Sequence, residues 1–166
     1  MRILGRAFVF GDFVDTDVLA PGPYLRKPLP ELAAQCLKAL DPSFPQSVRP
    51  GDIVVGGVGF GIGSSREQAV QALIHLGVGC VVARGFARIF FRNAINLGLP
   101  VLVCPDIAVA AGSRLEVLPA EGLVTQLESG RRWQAEPLPP RLMEILAAGG
   151  LMPWLRRRLR PSEERR

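Results

Sequence analysis

Histidine is almost missing: His75 is the only one in 166 residues. Cysteine is scarce too. Cys36, Cys80 and Cys104 stand far apart in apolar stretches, with no Cys-x-x-Cys and no Cys/His pair. Such a set does not make a zinc site or an iron–sulfur ligand group. The thiols read as buried and reduced, the chain is expected to bind no metal by itself, and any metal chemistry has to come from a partner. No apolar run reaches the roughly 18 to 20 residues a membrane span needs. The start, MRILGRAFVFGDF, has a short apolar stretch but no small-residue cleavage site before Asp12. It reads as a first strand, which leaves a cytoplasmic location and no membrane partner as the expectation.

A nucleic-acid signature is also lacking. The formal net charge is +5, but residues 156–166 carry six arginines and only two glutamates, which leaves the rest nearly neutral. No nucleic-acid fold signature precedes this tail, so it reads as a solvated or frayed C-terminus, with no nucleic-acid partner expected. What remains is an ordinary globular composition, 48% apolar and 21% charged. It suits one domain, residues 1–155, followed by the basic, flexible tail 156–166.

Along the chain, residues 3–10 alternate as a strand does, and GDFVDTD is polar and turn-like. Residues 29–40 carry apolar side chains at helical spacing with Pro30 near the start, and Pro42 and Pro45 close the pattern into a loop over 41–51. A strand IVVG, a helix over 65–76 stopped by Gly77, a strand over 80–83, a helix over 87–97 stopped by Gly98 and a strand over 101–104 follow. This alternation predicts an α/β fold with crossover connections. Three short antiparallel strands come next, over 114–118, 123–127 and 131–135, with turns at 119–122 and 129–130. Helices over 141–148 and 153–159 end the chain, with Gly149-Gly150 between them.

The chemistry concentrates in GFGIGSSREQA, residues 59–69. Gly59, Gly61 and Gly63 allow close backbone approach and positive φ. A helix start offers free N–H groups and the positive dipole end. Arg66 adds a planar fork for a carboxylate or phosphate, and Ser64 and Ser65 add hydroxyls. The spacing matches neither a Walker loop, which needs a lysine, nor the Gly-x-Gly-x-x-Gly of dinucleotide folds. A small carboxylate fits better than a nucleotide. The alternative is local: Ser64 and Glu67 have the Ser-x-x-Glu spacing of a capping box.

Four stretches together resemble the small subunits of 3-isopropylmalate dehydratases in the aconitase superfamily: GDFVDTDVLAPGPYL, GFGIGSSRE, ARGFARIFFRNAINLGLPVL and EPLPPRLMEILAAGGLMPWLRRRL. The resemblance implies a swivelling β/β/α domain, like the C-terminal domain of aconitase. It implies a heteromer with a large subunit that carries a [4Fe-4S] cluster through its own cysteines. The implied reaction is a hydro-lyase isomerisation, dehydration then rehydration of a small hydroxy-carboxylate, most simply isopropylmalate in leucine biosynthesis. On this resemblance Ser64 is the catalytic base, Ser65 and Arg66 hold substrate carboxylate, and Asp17 belongs to the binding loop, while Asp15 and Thr16 suit turn formation. Two positions depart from the pattern. Gln68 replaces the family's usual His. Arg26, in the loop that in relatives faces the distal end of the substrate, suits a carboxylate better than an isopropyl group, although surface arginines often simply face solvent. A homoaconitase-type or broad-specificity small subunit is therefore the alternative, and a binding module that has lost the chemistry is a third reading.

Overall fold

The computed structural model describes residues 1–159. Residues 160–166, and with them most of the expected tail, lie outside the described residues. Arg156, Arg157 and Arg158 form the last turn of a helix, where cations complement the negative end of the dipole.

Seven strands make one mixed sheet: β1 (Ile3–Val9), β2 (Ile53–Gly56), β3 (Cys80–Ala83), β4 (Val101–Val103), β5 (Arg114–Leu118), β6 (Leu123–Gln126) and β7 (Arg132–Gln134), in the order β4-β3-β2-β1-β5-β6-β7. β1 is the shared strand. It pairs in parallel with β2, Ala7 opposite Ile53, and antiparallel with β5, Ile3 opposite Val117. β2 and β3 are buried along their whole length, as unbroken apolar runs in a parallel sheet should be. The meander β5–β6–β7 follows the expected turns, with Gly122 and Gly130 at positive φ.

The main crossover helices are α4 (Glu67–His75) and α5 (Arg88–Leu97), which pack against each other. Both stop where expected. Gly77 and Gly98 take φ of 86° and 87°, the left-handed cap that glycine reaches without a Cβ penalty. Helices α6 (Pro140–Ala147) and α7 (Leu151–Leu159) pack beside α5.

The link from β1 to β2 differs from expectation. The spacing over 29–40 predicts one helix, yet only α2 (Leu29–Ala33) is helical, preceded by a short α1 (Thr16–Leu19) and a 3-10 turn at Gly22–Tyr24. Residues 34–40 are a string of turns. Leu37 is the cause: it is fully buried, its N–H donates to Val18 O at 2.9 Å, and it takes φ +58°. A tertiary hydrogen bond and burial outweigh helical propensity there. The expected loop over 41–51 also contains a turn of helix, α3 (Phe44–Ser47). It is anchored by buried Phe44, edge-on to Phe8 and Phe10 at 5.0 and 5.5 Å.

Candidate functional site

The parallel strands β1, β2 and β3 end side by side, and the three segments leaving them are braided together. This is the edge where α/β sheets place ligands. The segment after β2 lies in the middle. On one side Phe13 N–H donates to Val58 O, Gly61 N–H to Val14 O and Thr16 N–H to Ile62 O, at 2.7 to 2.8 Å. Asp12 Oδ1 accepts from Val58 N–H at 2.9 Å. On the other side Phe60 N–H donates to Gly85 O, and Ala87 N–H donates to Phe60 O, both at 2.9 Å. Phe60 is fully buried and packs edge-on to Phe86 and Phe90, at 5.9 and 5.3 Å. The glycine loop is thus fixed from both flanks.

Two glycines are obligatory here. Gly61 has φ +80°, and a Cβ would stand 2.2 Å from Phe90 Cγ. Gly63 has φ +107°, and a Cβ would stand 2.8 Å from both Asp15 Oδ1 and Thr16 Oγ1. Thr16 Oγ1 is buried and makes no hydrogen bond among the described residues.

Ser64 and Ser65 are exposed. The helix begins two residues later than the pattern predicts: Arg66 is the N-cap of α4, extended at φ −90° and ψ 107°, with no side-chain cap. The capping-box alternative therefore fails, and the Ser64 hydroxyl is not engaged with the helix start. The backbone turns tightly instead, with Arg66 N–H donating to Ser64 O at 2.8 Å.

The Arg66 guanidinium lies back over α1. Nη1 donates to Asp17 Oδ1 and to Ala20 O, the latter at 3.2 Å. The arginine side chain is 20% exposed and the aspartate 65%. Asp15, the N-cap of α1, accepts from Asp17 N–H at 2.6 Å and so fixes Asp17 in turn. Serines 64 and 65, Arg66 and the three glycines lie on one segment, and Asp17 reaches it through Arg66. Arg26 sits exposed on the turn after Gly22–Tyr24, and no hydrogen bond or ion pair ties it to residues 64–66 among the described residues. Gln68 is half-buried on the first turn of α4.

Sequence reasoning missed two things. Asp12 bonds the glycine loop directly, although its place in the quoted acidic segment marked it. Arg88 and Arg92 line a cleft of about 570 Å³ with Gly61, Ile62, Gly63, Ala87 and Ile89. Their one sequence signal was the i, i+4 repeat in ARIFFR.

Among the described residues no group of three or more His, Cys, Asp or Glu side chains is placed to hold a metal. The three cysteines are buried and free. Burial pushes the Cys36 and Cys80 thiols up. It takes Cys104 to about 11, with the charge of Asp106 adding to it. These residues do not fit an iron–sulfur cluster, whose ligands are several deprotonated thiols gathered at one point.

The mixed sheet and the strand-end loops define an aconitase-type C-terminal domain, and the family model described as "Aconitase C-terminal domain" matches residues 37–106. The chain is 52% identical to the 3-isopropylmalate dehydratase small subunit 1 of Methanopyrus kandleri, over 93% of each chain. It is 48% identical to the isopropylmalate/citramalate isomerase small subunit of Methanocaldococcus jannaschii, over 97% of this chain and 98% of the other. The crystal structure of 3-isopropylmalate dehydratase from the latter organism superposes with a TM-score of 0.89, at 43% identity over 95% of each chain. The chain belongs to the family of 3-isopropylmalate dehydratase small subunits.

Proposed function

We propose that this chain supplies the base and the carboxylate grip of a hydro-lyase that isomerises isopropylmalate, acting with a large subunit that carries the [4Fe-4S] cluster. The observation that carries this reading is the Ser64–Arg66 segment: two exposed hydroxyls on a fixed loop, next to an oriented guanidinium. Asp17 and Ala20 take Nη1 of Arg66. The opposite edge, Nε and Nη2, bonds no group among the described residues and suits a bidentate carboxylate. With the acid held there, Ser64 as alkoxide takes the proton from the carbon beside the carboxylate. The electron pair forms the alkene as the C–O bond on the neighbouring carbon breaks and hydroxide departs, which a proton donor of the large subunit would convert to water. Readdition with the opposite regiochemistry returns that proton and moves the hydroxyl. A serine is a weak base in water. The positive charge of Arg66, two residues on, favours its anionic form.

The names of the relatives span isopropylmalate and citramalate, so the distal end of the substrate is where specificity varies. Exposed Arg26 supports a second reading, in which that end is a carboxylate and the substrate a homoaconitate-type acid. The test is turnover by the purified chain alone, by the large subunit alone and by the mixture, on isopropylmaleate and cis-homoaconitate. Activity is expected only in the mixture, with isopropylmaleate preferred. Ser64→Ala should lower turnover about 10²- to 10⁴-fold, the usual share of a general base. Catalysis by the lone chain, or a fully active Ser64→Ala heteromer, refutes the proposal.

A further inference from the structure

Phe13 is held in an unusual conformation by its backbone: its N–H donates to Val58 O at 2.7 Å, while its ring stays largely outside the core. Its φ is +54°, in a region that bulky L residues rarely occupy and that sterics penalise. Its ring is 63% exposed and lies over Gly59, where a Cβ would meet Phe13 Cδ1 at 2.8 Å. Its neighbour across the braid, Val58, is exposed as well, and Ile62 and Ile89 add exposed apolar surface at the cleft beside the loop. On the rim of that cleft stand Arg88 and Arg92. They are like charges one helical turn apart, Arg88 opposing the dipole at the first position of α5, and neither makes an ion pair among the described residues. Both choices disfavour the isolated helix.

Exposed apolar side chains on both flanks of the glycine loop, one of them an aromatic, beside two arginines without an ion pair among the described residues, have the composition of a binding hot spot. We infer that Phe13 is the anchor by which this chain docks on its large subunit, inserting into an apolar pocket whose rim is acidic, with Arg88 and Arg92 facing that rim. This rests on the heteromer proposed above. It goes further in naming the surface and the chemistry of its partner. The backbone at Phe13 then has a purpose: it keeps the ring outward over Gly59, at the start of the loop that carries Ser64, so that docking closes the partner over the loop.

The test is the affinity of the full chain for its cognate large subunit, measured by calorimetry, alongside thermal melting. Phe13→Gly removes the ring and relieves the positive φ. It is expected to melt at or above the wild-type temperature yet bind about 30-fold more weakly, the loss typical of an aromatic hot spot. Turnover at saturating large subunit should stay within about twofold. Phe13→Ala should bind as weakly. The double variant Arg88→Glu, Arg92→Glu should slow association at low salt, the effect fading as salt is raised. If Phe13→Gly and Phe13→Ala bind like wild type, the inference falls while the heteromer stands. If the wild-type chain forms no complex, the proposed function falls and the inference with it. If the lone chain instead self-associates through Phe13 and heteromer affinity is unmoved, the patch belongs to a second copy and the inference is overturned.

Discussion

Replacing Gly63 by alanine probes the site through three linked contacts. At φ +107° an L residue is strained, and the new methyl would stand 2.8 Å from Asp15 Oδ1 and Thr16 Oγ1. Asp15 Oδ1 is the atom that accepts from Asp17 N–H, and Asp17 in turn orients Arg66. The backbone term is about 1–2 kcal/mol, and loss of the α1 cap adds about 1 kcal/mol. A total of about 2–3 kcal/mol lowers the melting temperature by roughly 4–12 °C in a chain of this size. Turnover of the heteromer should fall about 10²-fold, the effect of displacing a substrate-positioning group by about an ångström. Gly112→Ala is the control. Its φ is +86° with nothing within 4 Å of a Cβ, so only the backbone term of about 1–2 kcal/mol applies and activity is retained. If Gly63→Ala matched Gly112→Ala in both melting and turnover, the chain of contacts from loop to guanidinium would be refuted.

Asp17→Asn weakens the hold on Nη1 of Arg66. Because Asp17 is largely exposed, stability should change by less than about 1 kcal/mol. KM should rise about tenfold with kcat little changed, and an unchanged KM would show that Arg66 needs no positioning. The cysteines set an alkaline limit. Unfolded thiols titrate near about 8.5, whereas burial holds the native thiols protonated to higher pH, Cys104 to about 11. Their contribution to stability is fully present below the unfolded value and is lost as pH rises through the folded one. Urea midpoints should therefore be flat from about pH 7 to 8 and decline from about pH 9 to 11, less steeply in Cys104→Ala. The native chain should resist an aromatic disulfide at pH 8 until it unfolds.

The parts of the fold that were legible follow local rules. Gly77 and Gly98 stop α4 and α5 because the cap itself demands glycine, and β2 and β3 read as strands because both their faces are buried. Where a distant contact decides, the sequence was silent. Leu37 leaves the helix for a hydrogen bond to Val18, and no periodicity records that bond. The site divides the same way. Ser64, Ser65 and Arg66 stand in one loop, so its composition alone was enough to nominate them together for the proposed anion site. The Arg66–Asp17 pair joins residues 49 apart in the chain, so the aspartate could be nominated but its partner could not. Arg88 and Arg92 were visible as letters, but their helix reaches the loop through the Phe60–Phe86 bridge and the Phe60–Phe90 packing, which no local pattern records.

The braid of segments after β1, β2 and β3 has a consequence for biosynthesis. The serine–arginine loop leaves the ribosome well before the stretch around Phe86 that clamps its second flank. Until that stretch arrives, the loop lacks one of the two flanks that hold it. A product truncated in its first half therefore carries the loop without the Gly85–Ala87 support that completes its fold.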